Sequence, residues 1–175
     1  MFWDDLDEKE VAQEVLSSLH KHFYIRLEVT GVHCTGKRLR IDALLKPRDP
    51  SLWLDGEDSL IGIEFKSTIS DRNKLATQAI DYTHVEWDIS EPRRCLIFCC
   101  PEPWTTGRTS YSTLSQRDHS LSRILGRLGV GGIGVTGQGY YYLHMSGSPF
   151  WKPWLNGPIS GEYRVRSTYP KAGSR

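Results

Sequence analysis

The chain has 175 residues, of which 38% are hydrophobic and 25% charged, with a formal net charge of +1. That length suits one domain with a proper core, and the near-neutral balance excludes a global field toward nucleic acid or membrane, so any polyanion site must be local. The longest apolar run, Cys95 to Cys100, is too short to span a bilayer, and the acidic opening M-F-W-D-D-L-D-E lacks the basic-then-apolar pattern of a signal peptide; the expectation is a cytoplasmic protein without membrane contact.

From about Asp5 to His22 the spacing predicts a helix, with Val11, Ala12, Val15, Leu16 and Leu19 as its apolar stripe. Phe23 to Thr30 alternates as a half-buried strand does, and Gly31 is expected to break it. Leu39 to Leu45 forms the next strand, stopped at Lys46-Pro47, and Pro47 to Ser59 predicts a loop or hairpin excursion. Leu60 to Ser67 resumes as a strand. From Asp71 or Asn73 to about Trp87 the recurrence of Leu75, Ala79, Ile80 and Tyr82 predicts a helix, with Asp71 as its N-cap. Arg94 to Cys100 is a buried strand, Pro101 to Arg108 a loop, and Leu114 to Leu128 a helix. Val130 to Val135 and Tyr140 to Met145 predict a hairpin turning at Thr136-Gly137-Gln138-Gly139, and the Gly-, Pro- and Trp-rich tail after Ser146 is expected to pack irregularly. This order implies an α/β fold in one domain: a mixed sheet flanked by helices over residues 1–146, ending in a β-hairpin, with the 147–175 tail packed on it.

Two acids and a lysine stand in the apolar strands. In I-G-I-E-F-K-S, Glu64 and Lys66 are two apart and leave the strand on one face, while Ile61, Ile63 and Phe65 leave on the other. In I-D-A-L-L, Asp42 is flanked by Ile41 and Ala43, both expected on the opposite face, with Arg40 and Leu44 on its own. If these strands pair, Asp42 and Glu64 can share a divalent ion; Mg2+ keeps several waters, so two carboxylates suffice. Such an ion lowers the pKa of water and neutralises the charge that develops in phosphodiester hydrolysis, and a neighbouring lysine can orient or activate that water. An isolated Glu-x-Lys is usually a solvated couple worth little. The strand context of both acids and the helix that follows favour a site.

The spacing from Asp42 across 21 residues to Glu64-Phe65-Lys66, followed by Gln78-Ala79-Ile80-Asp81-Tyr82 on a helix, resembles the PD-(D/E)XK nuclease superfamily. Gln78 and Tyr82 are similar to the QxxxY helix of its RecB-like and lambda-exonuclease-like branches. The resemblance covers roughly residues 8 to 100 and implies a restriction-endonuclease-like α-β-β-β-α-β core acting on DNA with Mg2+ or Mn2+. It implies that Asp42 and Glu64 bind the metal and that Lys66 positions or polarises the attacking water. Gln78 and Tyr82 would support the site and contact the nucleic-acid backbone. No proline precedes Asp42, and the first-helix histidine of several RecB-like members has no clear equivalent, since His20 and His22 lie at the helix end. The family often carries a glutamate in that helix; Glu8 continues the stripe of Val11, Ala12, Val15 and Leu19, whereas Glu10 and Glu14 are expected to face solvent. The alternative is a nuclease-like fold without turnover, an adaptor for nucleic acid or a protein partner. Oligomeric state is open.

Other signals are weaker. Arg38 and Arg40 cluster with Lys37, Lys46 and Arg48 around Asp42, and Arg123 and Arg127 share a helix face; these are the candidate phosphate contacts. Gly129 to Gly134 matches G-x-G-x-x-G, but a helix precedes it and a strand follows, the reverse of a dinucleotide site. Trp104, Trp151, Trp154, Tyr163 and Tyr169 could stack on bases, but more often such residues tie a tail down. Cys95, Cys99 and Cys100 are expected as buried thiols, and Cys34 has no paired spacing for metal.

Overall fold

Apolar residues at two periodicities divide the chain into helices and strands. The computed structural model describes residues 7–50, 59–66, 72–90, 93–102, 116–135, 140–151 and 162–166. Its elements are α1 (Glu8–Leu19), β1 (Phe23–His33), β2 (Arg38–Pro47), β3 (Ser59–Phe65), α2 (Arg72–Thr83), β4 (Val85–Trp87), β5 (Arg94–Cys100), α3 (Gln116–Arg127), β6 (Val130–Val135), β7 (Tyr140–His144) and β8 (Glu162–Arg166). All eight strands join one mixed sheet in the order β4-β1-β2-β3-β5-β6-β7-β8. Apart from the short β4, the first elements follow the α-β-β-β-α-β order. Asp71, the 51–58 excursion, most of the 101–108 loop and the 136–139 turn lie outside the described residues, as do Trp104, Trp154 and Tyr169. Among the described residues no helix is long and apolar enough to cross a membrane.

β3 is the axis of the fold, fully buried along its length, antiparallel to β2 and parallel to β5. Its alternation divides the core in two. Ile61, Ile63 and Phe65 pack with Leu96 and Phe98 of β5 and with Val11, Val15 and Leu19 of α1. On the other face Leu60 packs with Cys95, Ile97 and Cys99 of β5, with Leu75, Ala79 and Tyr82 of α2, and with Leu125 of α3. Each fully buried Ile or Phe contributes roughly 1.5–3 kcal/mol, so β3 is a rigid platform for whatever its polar positions carry.

α1 starts at a capping box: the Asp7 side chain accepts from the Glu10 backbone while the Glu10 carboxylate accepts from the Asp7 N–H. Its buried face is Val11, Glu14, Val15, Ser18 and Leu19. That corrects the expectation for Glu14, which is 4% exposed rather than solvent-facing, while Glu8 is exposed in the first turn. Ala12 and Leu16 are only half-buried, so the helix is rotated toward Glu14 and Ser18 relative to the purely apolar stripe.

Gly31 does not break β1, which runs on to His33. A Cβ on Gly31 would meet the Val85 Cγ1 at 2.5 Å and the Glu86 carbonyl oxygen at 2.6 Å, so the missing side chain is what admits β4 beside β1. The predicted second helix therefore ends at Thr83, and Val85 and Trp87 turn inward on a strand. Gly31→Ala is expected to cost about 1–3 kcal/mol, as overpacking does. Amide exchange of β4 should quicken with it; unchanged stability and protection would contradict this account of the edge.

Two described parts of the tail, residues 147–151 and 162–166, are tied into the fold. Trp151 is fully buried and tilts against Phe98 with ring centroids 4.9 Å apart, so it fastens the tail to the α1-side core and is unavailable to bases. β8 then pairs antiparallel with β7. The glycine-rich segment forms β6 directly after α3, with Gly129 at φ +84, and among the described residues no helix follows it to hold a dinucleotide.

Candidate active site

The register of β1, β2 and β3 builds the site. Ala43 pairs with Ile63, Leu44 with Gly62 and Leu45 with Ile61, and pairing ends there. One step further, the Asp42 carboxylate takes the place of a ladder carbonyl: its Oδ2 accepts the Phe65 N–H at 2.7 Å. Asp42 is thus fixed opposite Glu64.

A local distortion sets this up. β1 pairs with β2 on either side of Glu28 and Asp42, through Leu27↔Ala43 and Val29↔Ile41, but those two residues form no pair. Glu28 has a φ of +51, a left-handed conformation that costs a non-glycine residue about 1–2 kcal/mol. Across this point both strands change face. Ala43 belongs to the α1-side core, while Ile41 and Val29 belong to the α2 side. The expectation that Ile41 and Ala43 share a face is corrected accordingly. Strained, re-aimed strand positions of this kind are concentrated at functional sites.

Glu64 leaves β3 toward α2 and is 2% exposed. Its Oε1 accepts from the Lys66 ammonium at 2.5 Å and from the Gln78 Nε2 at 2.8 Å. Gln78 also donates to the Tyr82 hydroxyl at 2.6 Å, and that hydroxyl donates to the Arg40 carbonyl at 2.8 Å. Gln78 and Tyr82 lie one helical turn apart on α2, which makes them neighbours on one side of the helix. This chain of bonds locks the Glu64 rotamer and ties α2 to the distorted part of β2. Removing the hydroxyl with Tyr82→Phe leaves the Arg40 carbonyl without its donor and is expected to cost about 1–3 kcal/mol. Urea denaturation checks this, and a change below about 0.5 kcal/mol would remove Tyr82 from the supporting network.

Glu64 Oε2 is buried and has no hydrogen-bond partner. Burial, aided by the nearby Asp42 charge and opposed by the Lys66 hydrogen bond, pushes the Glu64 carboxyl up to about 7. Burial alone would lower Lys66, but the Glu64 hydrogen bond and the charges of Glu64, Asp42 and Glu8 outweigh it and hold the ammonium above its ordinary range. Burial and the Glu64 charge likewise push the Tyr82 phenol up. Cys99 stands level with Glu64 on β5, and burial raises its thiol well above the ordinary range, so it is no nucleophile.

The residues present fit a divalent cation. Two carboxylates converge, one carrying a desolvated oxygen that nothing satisfies, and a hard cation takes that kind of donor. Among the described residues no three Asp, Glu, His or Cys side chains cluster for metal binding. A cation here would have Asp42 and Glu64 as protein ligands and keep waters, as Mg2+ does.

Asp42, Glu64, Lys66, Gln78 and Tyr82 are therefore brought together as the sequence spacing suggested. Glu8 reaches the site electrostatically, through Lys66, from the exposed start of α1. The four arginines are not gathered there. Arg38 is paired with Asp88 at 2.5 Å and also bonds Thr30, and Arg40 lies 3.7 Å from the Glu28 carboxylate. Arg123 and Arg127 are exposed on α3, whose end leads through Gly129 to Val130 opposite Ile97, below the level of Glu64 and Cys99. The missed feature is Glu28, and its conformation had no sequence signal.

The fold and site define a mixed α/β protein with a carboxylate–lysine centre at the end of its central strands. Comparison with protein-family models, with curated proteins and with solved structures finds no match for this chain.

Proposed function

We propose that the chain is a divalent-metal-dependent nuclease of the PD-(D/E)XK type that hydrolyses DNA phosphodiester bonds. The observation that carries this reading is the buried Glu64 carboxylate, raised to about 7 and with one oxygen unsatisfied, facing Asp42 beside an ammonium. A desolvated acid pair of this kind is costly for a protein to keep without a cation to relieve it. The motif spacing and the α-β-β-β-α-β order support the same reading.

Asp42 and Glu64 would hold Mg2+ or Mn2+, which when bound supplies charge neutralisation and a water of lowered pKa. Lys66, held protonated, cannot serve as a general base at neutral pH. Its role is that of a fixed positive donor, orienting the attacking water and stabilising charge on the phosphoryl oxygens. Gln78 keeps Glu64 aimed, and Tyr82 keeps Gln78 aimed.

The test is incubation of purified protein with linear and circular DNA, single- and double-stranded, with Mg2+, Mn2+ or EDTA. Cleavage that EDTA abolishes supports the reading, and circles against linear DNA separate endonuclease from exonuclease action. DNA bound but uncut under every condition would instead make the chain an adaptor on a nuclease-like fold.

A further inference from the structure

A second feature lies on the same sheet face as Glu64 but at the other end of β3. Register places Tyr24 opposite Lys46 and Arg26 opposite Leu44, and Leu60 of β3 lines the same groove. Together with Arg93 these residues line an open groove of about 520 Å3. Its floor is apolar, formed by the buried Leu44 and Leu60, and its walls carry three basic side chains. No described lining residue is acidic. Tyr24 is 58% exposed, and the Arg48 guanidinium sits 4.1 Å from its ring centroid, which steadies the ring. The ring thus stands at the groove edge among basic side chains.

We infer that this groove anchors a single-stranded segment of nucleic acid, with phosphates on Arg26 and Lys46 and a base stacked on Tyr24. The inference deepens the nuclease reading by assigning the form of the substrate, and rests on it for that context. Stacking on a side chain requires an unpaired base, which a duplex does not offer. Aromatic stacking beside basic side chains is the general chemistry of sequence-tolerant single-strand binding. Leu60 and Glu64 are four residues apart on β3, roughly 13 Å. The groove therefore holds a flanking nucleotide, not the scissile bond.

The test is fluorescence anisotropy of a labelled oligothymidylate in EDTA, which prevents turnover. Tyr24, Arg26 and Lys46 are all exposed, so their variants should fold. Tyr24→Ala is expected to weaken binding roughly tenfold. The double variant Arg26→Ala/Lys46→Ala should weaken it further and make the log–log salt slope shallower by roughly 0.7 for each phosphate left unneutralised. Wild-type affinity in both variants, no binding by the wild type, or equal displacement by polyglutamate would each overturn the inference. A protein that binds in this way yet never cleaves retains the groove and loses the nuclease reading. Cleavage with variant-insensitive binding does the opposite.

Discussion

Lys66→Ala is expected to lower metal-dependent DNA cleavage by about 10²–10³-fold or more, the loss typical when one fixed donor is removed from developing charge. Glu64→Ala should lose still more, because it takes away a proposed cation ligand together with the acceptor that holds Lys66. The fold should survive both changes: Lys66 lies just beyond the end of β3, and the strand is held by Ile61, Ile63 and Phe65 on its other face. Lys66→Arg is informative beside them. It keeps the charge, but its planar fork cannot reproduce a compact ammonium that donates to Glu64, so rescue should be partial at best. Gel assays at matched protein concentration, with far-UV spectra as the fold control, measure all three. Undiminished cleavage in both alanine variants would remove this site from the chemistry.

The second large effect is on stability. In the metal-free protein the Glu64 carboxyl titrates at about 7, against an ordinary value of 4.5. Between these values the folded state holds a proton that the unfolded state has released. Stability therefore falls as pH rises through that window, by roughly 3 kcal/mol once pH exceeds the folded pKa. Glu64→Gln mimics the protonated acid and should flatten this dependence. For a chain of this length, about 3 kcal/mol corresponds to several degrees in Tm. The variant should thus melt at a higher temperature than wild type at pH 8 without metal, and close to it at pH 5. Mn2+ should close the gap by stabilising the wild type alone. Parallel wild-type and variant Tm profiles across pH 5–8 would contradict the burial of a costly carboxylate. The buried Glu64 carboxylate is thus kept at a cost in stability.

The parts legible in the sequence are those governed by regular alternation. Glu64 and Lys66 can be placed because β3 is an unbroken strand with Ile61, Ile63 and Phe65 on the far side. Gln78 and Tyr82 follow from helical spacing. Asp42 is legible as a residue, but not in its manner of bonding. Its capture of the Phe65 N–H depends on a change of face at Glu28, and glutamate is not a residue that announces a left-handed backbone. Gly31 shows the same limit from the other side. Locally it resembles a strand breaker, whereas in the fold it is a notch for β4. The buried face of α1 departs from the apolar stripe because Ala12 and Leu16 look like core residues and Glu14 and Ser18 do not. Packing against β3 decides that rotation, and no local count contains it. Trp151 and β8 depend on long-range pairing with Phe98 and β7, which the composition of the tail does not reveal.

The most direct test of the proposed centre is calorimetric titration of Mn2+ into the metal-free protein and into Asp42→Asn and Glu64→Gln. The wild type should bind the ion near pH 7 and release protons as it does so, because Glu64 must give up its proton to become a ligand. Both variants should lose that binding and the accompanying proton release. Binding that persists unchanged in both, or is absent from the wild type, would contradict a cation site built from Asp42 and Glu64.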